Sequence, residues 1–457
     1  MDALQARELT PIEGATIEDL NVERVNEFIQ LLNRQVKVET IKADLKAALP
    51  FLERKSFVVD GKVTTLGALV CADHPVDLMG FRCRVHGYVD VPQTVAQDKQ
   101  VFGDNVLPLM EASLGYILRN IQVGVSIEGG GTSLPQYPEA LLRETVNNAL
   151  AHRDYSINKY VTIIIRPGRQ IEIRNPGTLQ PSLVIEYADE QIPLHRIIPE
   201  AKPRNPRLAS VLMVYNKWEG RGIGMATLTN LCLQNEMDLP YYRLYSEDEL
   251  GLCMCAGKLL DERMEELFRS FDGYIEDKLE GRALSEEQKR VLAYLMKSEW
   301  ANRELRYTII LTPDNNHFNQ LRTLEAAKLI QRHPASPPLH PIYVADRILM
   351  LDDYTRELRE MLGSLSFDPL NQLLKDILGM IYRFNHFSKN RWISARQAAL
   401  MLWWRQPELG TAARAFEGFY RKVKYAFNKL EEEGMICRDG NKPRYEIVSS
   451  HSQPLLP

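Results

Sequence analysis

Residues 159–177, KYVTIIIRPGRQIEIRNPG, constrain the fold of this chain more than any other stretch. They contain two β-rich runs separated by Pro167-Gly168, a dipeptide typical of turns. The stretch therefore predicts a β-hairpin that ends in Asn-Pro-Gly. A helical pattern, YPEALLRETVNNALAH, precedes it, and a helix, a glycine-rich turn and another helix follow it. This order predicts an α/β fold.

The bulk composition is that of a folded, soluble protein. The chain has 457 residues, of which 45% are apolar and 25% charged. No apolar run approaches the roughly 20 residues that span a bilayer, and the first residues, MDALQARELTPIEG, do not have the basic and apolar regions of a signal peptide. The six cysteines show no zinc-like pairing, and Cys253 and Cys255 alternate along an expected strand. We therefore expect a cytoplasmic protein in a reducing compartment, with no membrane partner.

Changes of pattern along the chain predict a flexible lead-in and four folded segments. The first segment is an α/β module, in which Pro50 is expected to close a helix. The last two segments each read as helices followed by a two-stranded wing, clearest around Asp439-Gly440. Gly129-Gly130-Gly131 reads as a linker or as a lid over a ligand. The expected boundaries are 1–20 (lead-in), 21–130 (N-terminal module), 131–262, 263–350 and 351–457.

The C-terminal segment is basic. Residues 370–457 contain 14 Lys plus Arg against 8 Asp plus Glu, a balance of +6. Because the net charge of the whole chain is −4, the rest of the chain carries −10. Such asymmetry indicates a basic binding face. In FYRKVKYAFNKLEEEG, one helical face is apolar and the other basic. In winged folds the third helix enters the major groove while the wing touches phosphates.

The expected DNA contacts are Arg421, Lys422 and Lys424 on the helix and Arg438, Lys442 and Arg444 in the wing. The alternatives are a solvated amphipathic helix, with Phe419, Val423, Phe427 and Leu430 facing a core, or a surface that docks a protein. The first wing-bearing unit has few cations in its third helix, so a structural role or an oligomerisation surface is expected there.

The polar helix before the hairpin carries the expected chemistry. Glu144 and Asn148 are four residues apart and so share one helical face. A carboxylate can deprotonate water, and an amide oxygen can ligate Mg²⁺ among its waters and substrate phosphates. Taken alone, the pair reads more simply as a solvated helix face, and His152 as a donor packed at a helix end.

Two further motifs fit the same site. Asn175-Pro176-Gly177 places a polar side chain at the end of a strand, beside a backbone that can approach a ligand closely. Gly220, Gly222 and Gly224 lead into a helix, whose free N–H groups favour phosphate.

The ordered motifs E-x-x-x-N-A…H-R-D, strand-N-P-G, R-N-P and E-G-R-G-I-G resemble the GHKL ATPases. Within them the chain is similar to the C-terminal ATP-binding domain of RecG-like transcriptional regulators. The resemblance covers the chain from about residue 16 to the second wing. It implies a GHKL (Bergerat-type) α/β sandwich at 131–262, followed by two winged-helix domains.

The resemblance implies specific roles for these residues. Glu144 matches the general base and Asn148 the Mg²⁺ ligand of the helical N-box, while Asn175 and Gly177 match the adenine-reading box. Gly220, Gly222 and Gly224 match the phosphate lid. The subfamily signatures imply nucleotide contacts for His152, Arg153, Asp154, Arg204 and Asn205.

The chain departs from the family pattern in two places. Asn175 and Leu179 stand where most members have the first Asp and the last Gly of Asp-x-Gly-x-Gly. An Asn oxygen still accepts from the adenine amino group, but without charge assistance. The segment GATIEDLNVERVNEFI, which follows a Schlafen-type AlbA-like domain in relatives, stands near the start of this chain. The chain is therefore expected to be either a version lacking that domain or a product of truncation.

The expected function follows from the resemblance. ATP with Mg²⁺ binds the sandwich and changes how the winged helices sit on DNA, in a regulatory or defence-related role, with ATP hydrolysis left open. The alternative is a nucleotide-sensing scaffold without turnover that docks a protein effector, and a homo-oligomer is compatible with both. A helicase is disfavoured because the chain has no Gly-x-x-x-x-Gly-Lys-Ser/Thr loop.

Overall fold

The structure is a computed structural model that falls into two compact units. Unit 1 comprises residues 1–258 and 300–310, and unit 2 comprises 259–299 and 311–457. The structure describes residues 7–35, 39–91, 94–121, 137–187, 194–198, 203–218, 224–301, 304–309, 317–338, 341–403 and 413–448.

Unit 1 is built on a nine-stranded mixed sheet and a smaller three-stranded sheet. The large sheet has the order β5-β4-β6-β7-β11-β10-β12-β9-β8, and the small one β1-β3-β2. The pairs β4–β6 and β12–β9 are parallel. The strands are β1 (Pro11–Thr16), β2 (Val58–Val59), β3 (Lys62–Thr64), β4 (Arg84–Val89), β5 (Gln97–Gly103), β6 (Val161–Arg166), β7 (Gln170–Pro176), β8 (Val184–Tyr187), β9 (Leu194–Ile197), β10 (Tyr241–Ser246), β11 (Glu249–Cys255) and β12 (Leu305–Thr308).

Eight helices accompany these strands in the described part of unit 1. They are α1 (Val22–Gln35), α2 (Leu45–Arg54), α3 (Thr65–Cys71), α4 (Pro75–Met79), α5 (Val106–Ile121), α6 (Glu139–His152), α7 (Pro206–Val214) and α8 (Gly224–Gln234). The predicted hairpin is present as β6 and β7, which pair antiparallel around Pro167-Gly168. The α/β class is thereby confirmed.

Helices α5 and α6 pack against β4, β6 and β7. The buried face of α6 is formed by apolar residues that recur at helical spacing, namely Leu141, Leu142, Val146 and Leu150. On β4 the buried residues alternate with half-buried ones, so one face of the strand meets the helix layer. Gly87 is required on that face because a Cβ there would lie 2.6 Å from the ring of Tyr116 on α5.

Two expectations for the N-terminal region are corrected. Residues 7–20, expected to form a flexible lead-in, form a short 3-10 helix, β1 and a second turn. They are ordered because Glu8, Ile12 and Ala15 are buried. Pro50 does not close α2 but lies inside it. The helix continues because Phe51 and Leu52 bury their side chains beyond the proline.

The expected boundary at residue 130 does not separate two sheets. Strands β4 and β5, from the expected N-terminal module, belong to the same sheet as β6, β7, β10 and β11. Strand β12 joins it too, although it follows the first helices of unit 2 in sequence. Long-range pairing of this kind leaves no local mark in the sequence.

Unit 2 is mostly helical, with two small hairpins. Its helices are α9 (Glu262–Ser270), α10 (Asp272–Lys278), α11 (Glu286–Trp300), α12 (Phe318–Ala326), α13 (Arg347–Met350), α14 (Thr355–Leu362), α15 (Ser364–Phe367), α16 (Gln372–Phe387), α17 (Ala395–Trp403) and α18 (Ala413–Glu432). Its hairpins pair β13 (Ile330–Arg332) with β14 (Tyr343–Ala345), and β15 (Ile436–Arg438) with β16 (Tyr445–Ile447). The division of this unit at residue 350 stays a prediction.

The C-terminal part of unit 2 follows the expected order of three helices and a hairpin. Helices α16, α17 and α18 pack on one another, and β16 packs on α16. The turn between β15 and β16 contains Asp439 and Gly440, and Gly440 has a φ of +58°. In the described part of the chain, no helix is long and apolar enough to cross a membrane.

Candidate functional site

The Glu144–Asn148 pair lies on one face of α6, as its spacing predicts. Asn148 donates from Nδ2 to Glu144 Oε1 over 3.1 Å. The amide oxygen of Asn148 therefore points away from the carboxylate. Both side chains are half-buried. Buried Tyr242 lies close enough to Glu144 that burial and the negative charge of Glu144 together raise the pKa of the phenol.

Side chains from elsewhere in unit 1 cap the C-terminal end of α6. The last carbonyls of a helix have no partner within it. Asn175 Nδ2 donates to Ala149 O over 2.8 Å, and Tyr155 Oη donates to Leu150 O over 2.9 Å. Asn205 Nδ2 donates to Ala151 O over 2.9 Å and to Arg153 O over 2.8 Å. These bonds tie the strand end at Asn175 to the helix that carries Asn148.

Asn175 keeps one polar atom without a partner. Its Oδ1 is buried and has no hydrogen-bond donor among the described residues. The orientation of the amide is fixed chemically, because a carbonyl such as Ala149 O can only accept. An orphaned acceptor of this kind costs roughly 1–3 kcal/mol when it stays unpaired. Position 175 is thus suited to a ligand N–H.

Asp154 is the centre of an ionic cluster beside this strand end. Its Oδ2 lies 2.6 Å from Arg7 Nη1 and 3.1 Å from Arg204 Nη1. Burial acts to raise the pKa of Asp154, but hydrogen bonds from Ser156 and the charges of Arg204 and Arg7 outweigh it and lower that pKa. Gly177 passes directly beside the cluster with a φ of +119°, and a Cβ there would lie 3.1 Å from Asp154 Cβ.

Glu8 anchors the start of α7 to the N-terminal segment. Its carboxylate is buried and accepts from Arg207 N over 2.7 Å and from Leu208 N over 2.8 Å. These amides are free because they belong to the first turn of the helix. Burial raises the pKa of Glu8 although these backbone bonds oppose the shift. Glu8 thus acts as an N-terminal cap supplied from about 200 residues away.

His152 ends α6 as a neutral imidazole. Burial, aided by the charge of Arg204, lowers its pKa to about 4. Its Nδ1 accepts from Arg204 N over 3.4 Å, and its ring lies 5.1 Å from the ring of Trp218. The side chain is therefore a packed helix-end group that carries no charge at neutral pH.

The side chains of Arg153 and Asn205 donate hydrogen bonds to backbone carbonyls near the end of α6. Arg153 is fully buried and donates from Nη2 to Ile157 O over 3.1 Å and to Lys159 O over 2.5 Å. Its guanidinium lies 5.4 Å from the ring centre of Tyr155. These contacts hold the loop after α6, and nucleotide contacts by either residue stay predictions.

The glycine-rich motif is described only at its end. Gly224 is the first residue of α8. The positions of Gly220 and Gly222, like that of Gly129-Gly130-Gly131, lie outside the described residues. Further along, α8 packs against α6. The start of α8 and the face of α6 with Asn148 thus belong to neighbouring helices.

A metal ion at this site would need ligands beyond the protein. Among the described residues, no group of three or more His, Cys, Asp or Glu side chains is arranged to hold a metal. Asn148 supplies one amide oxygen and Glu144 one carboxylate. So few protein ligands are sufficient for Mg²⁺, since this ion commonly keeps several waters and binds substrate phosphates.

The basic surface that the sequence predicts belongs to α18 in unit 2. On α18, Phe419, Val423, Phe427 and Leu430 are buried in the core. Arg421, Lys422 and Lys424 are exposed on the opposite side and form no ion pair with a described residue. Tyr425 lies among them with 74% of its surface exposed.

The wing cations differ in their pairing. Arg438 Nη2 lies 2.7 Å from Glu431 Oε2, and Lys442 Nζ lies 3.8 Å from Asp439 Oδ2. Arg444 is exposed and has no acidic partner in the described part of the chain. The helix therefore offers more unpaired positive charge than the wing.

Sequence reasoning missed Arg7, Glu8, Trp218 and Tyr242. Each contacts the site across a long sequence separation, such as the 147 residues between Arg7 and Asp154. The sequence carries only a weak signal for these four residues. An acidic residue in a polar N-terminal stretch does not distinguish a distant helix cap from a solvated side chain.

Comparisons with known proteins give little beyond this geometry. No protein-family profile matches the chain, and no curated protein matches it. Among solved structures, the chain is similar to the DIP2311 protein from Corynebacterium diphtheriae. That likeness has 13% identity and a TM-score of 0.43, and covers 97% of this chain and 70% of that one.

Proposed function

We propose that unit 1 binds ATP with Mg²⁺ in a GHKL-type site, and that nucleotide state controls duplex DNA binding by winged helices in unit 2. The observation that carries the proposal is the orphaned Oδ1 of Asn175. It lies at the end of β7, and Asn175 is held to α6 one residue from Asn148. A candidate base-reading acceptor on β7 is thus bonded to the helix that carries the candidate metal ligand.

Asn175 fits adenine by hydrogen-bond chemistry. Its Oδ1 can accept from the exocyclic amino group of adenine, whereas guanine presents a carbonyl oxygen at the equivalent position. Guanine would place acceptor against acceptor and leave both unpaired in a buried site. Gly177 supports close approach of a ligand, since a side chain at this φ and spacing would be strained.

Asn148 and Glu144 fit Mg²⁺ and a water nucleophile. Asn148 would hold the ion through Oδ1, because its Nδ2 already donates to Glu144. When bound, Mg²⁺ neutralises phosphate charge. Glu144 would orient and deprotonate the attacking water, and its bond from Asn148 fixes the carboxylate for that task. The N–H groups that begin α8 at Gly224 would bind phosphate.

The DNA part of the proposal is supported by α18. Its three exposed cations have no acidic partner among the described residues, so phosphates can pair with them without first breaking an ion pair. The buried stripe of the same helix keeps this face directed outward. The three-helix arrangement with the β15–β16 hairpin is compatible with a winged helix.

The test is calorimetric titration of the purified protein with ATP, in Mg²⁺ and in EDTA. We expect Mg²⁺ to strengthen binding to the parent, and Asn148→Ala to abolish that gain. Asn235→Ala, which changes an exposed asparagine directly after α8, is the matched control and should behave as the parent. If Mg²⁺ strengthens ATP binding to Asn148→Ala as much as to the parent, Asn148 is not a ligand of the ion. If the parent binds no ATP under any condition, the nucleotide proposal is wrong.

A further inference from the structure

The nine-stranded sheet of unit 1 carries a second surface, on the side of β4 opposite α5. Val85, Gly87 and Val89 face the helix layer and are buried. The alternate residues Arg84, His86 and Tyr88 are half-buried and point to the other side. Asn175 belongs to the helix side, because it bonds to α6. This second surface therefore lies across the sheet from the nucleotide site.

Four aromatic rings form a continuous row on this side of the sheet, which we call the aromatic platform. The ring centres of Phe81 and Tyr160 are 4.6 Å apart, those of Tyr160 and His86 5.9 Å, and those of His86 and Tyr88 5.4 Å. Phe81 is 40% exposed, and the other three are half-buried. The partner of His86 on β5 is Val101, which is 54% exposed.

Unpaired positive charge lies beside the aromatic platform. The Arg84 guanidinium lies 5.9 Å from the ring centre of Phe81, and Lys99 is exposed on the neighbouring strand β5. Neither forms an ion pair with any residue in the described part of the chain. The nearby carboxylate of Asp90 is engaged by Arg166, with Nε to Oδ2 at 2.9 Å. The edge at β4 and β5 is therefore favourable for an anion.

We infer that the aromatic platform binds single-stranded nucleic acid. Aromatic rings along one face of a sheet give bases a stacking surface, which is sequence-tolerant because every base has a π face. Arg84 and Lys99 would pair with backbone phosphates. A duplex fits poorly here, because its bases are already stacked on each other inside the helix. The inference does not depend on the ATP site or on the basic face of α18.

The experiment measures fluorescence anisotropy of labelled oligonucleotides of about 12 nucleotides, a length that spans one single-strand site. The probes are non-pairing DNA, non-pairing RNA and a DNA duplex, each titrated with the full chain. The test variant is Phe81→Leu with Tyr88→Leu, which removes two rings but keeps apolar bulk. Its matched control is Tyr187→Leu with Phe318→Leu, which removes two exposed rings elsewhere.

We expect the Phe81/Tyr88 variant to bind single strands roughly tenfold or more weakly than the parent, since each lost stack weakens binding. Its affinities for duplex and for ATP should be unchanged, which also shows that it is folded. Arg84→Gln with Lys99→Gln should weaken single-strand binding and flatten its salt dependence. The DNA and RNA arms show which single strand is preferred.

Three results would overturn the inference. The Phe81/Tyr88 variant could bind single strands as tightly as the parent. Alternatively, changing Arg421, Lys422 and Lys424 to Ala could abolish single-strand and duplex binding together, which would place both on α18. Finally, the parent could bind neither single strand at low salt, which would leave the aromatic platform to a protein partner.

Discussion

Asn175 shows how one side chain can satisfy two opposite demands. An aspartate at this position would present only acceptors, and one oxygen would face the carbonyl of Ala149 without a proton between them. An asparagine donates to Ala149 and keeps Oδ1 as an acceptor, which the proposed adenine site requires. The departure from the Asp-x-Gly-x-Gly pattern therefore agrees with the local contacts of this chain.

Removal of Glu144 should separate binding from turnover. We expect Glu144→Ala to bind ATP with nearly the affinity of the parent, because the base and phosphate contacts remain. Any ATP hydrolysis should fall about 10²- to 10⁴-fold, the usual effect of losing a general base. Phosphate release is the measurement, with Glu139→Ala on the exposed side of α6 as the control. Equal turnover in Glu144→Ala and parent excludes this role. If neither hydrolyses ATP, the nucleotide-sensing scaffold is the better account.

His152 should titrate near pH 4. Its pKa in the folded chain lies below the value of about 6.5 in an unfolded chain, so the unfolded state binds more protons between these values. The free energy of unfolding should therefore decrease as pH falls from 7 to 5, by about 1–2 kcal/mol from this residue. Proton NMR of the imidazole, assigned with His152→Gln, measures the pKa directly. Titration near 6.5 would show that His152 is solvated.

At the scale of elements, local sequence patterns predicted helices and hairpins well. Contacts between segments far apart in the sequence could not be predicted in this way. The Glu144–Asn148 contact follows from helical spacing alone, and the β6–β7 hairpin follows from Pro167-Gly168 and its flanking β-rich runs. The buried anchor Glu8 meets α7 across 199 residues, so no local pattern marks it. Pro50 was misjudged because burial of the following residues outweighs the missing backbone bond inside α2.

The basic face of α18 should bind duplex DNA through phosphates. We expect the Arg421, Lys422 and Lys424 triple Ala variant to lose affinity for all duplexes alike. The slope of log affinity against log salt should decrease in magnitude by about 2–3. A salt titration with short duplexes measures this, and the control changes Arg282, Arg332 and Arg356 to Ala for the same loss of charge. If the parent has no duplex affinity at low salt, docking of a protein effector is favoured.

At the scale of the whole molecule, charge and chemistry are divided between the two units. Residues 370–457, within unit 2, carry +6, while the orphaned acceptor, the metal-ligand candidate and the buried ionic cluster belong to unit 1. The sequence predicted this division because composition changes along the chain. It did not predict that residues 84–103 share a sheet with the hairpin, since pairing between separated strands depends on the fold as a whole.

Adenine recognition through Asn175 is the central claim, and one calorimetric comparison tests it most directly. The parent and Asn175→Leu are each titrated with ATP and with GTP in the presence of Mg²⁺. We predict that the parent binds ATP at least tenfold more tightly than GTP, since one unpaired buried group costs roughly 1–3 kcal/mol. The variant should lose most of that preference. Comparable binding of ATP and GTP by the parent would contradict the account.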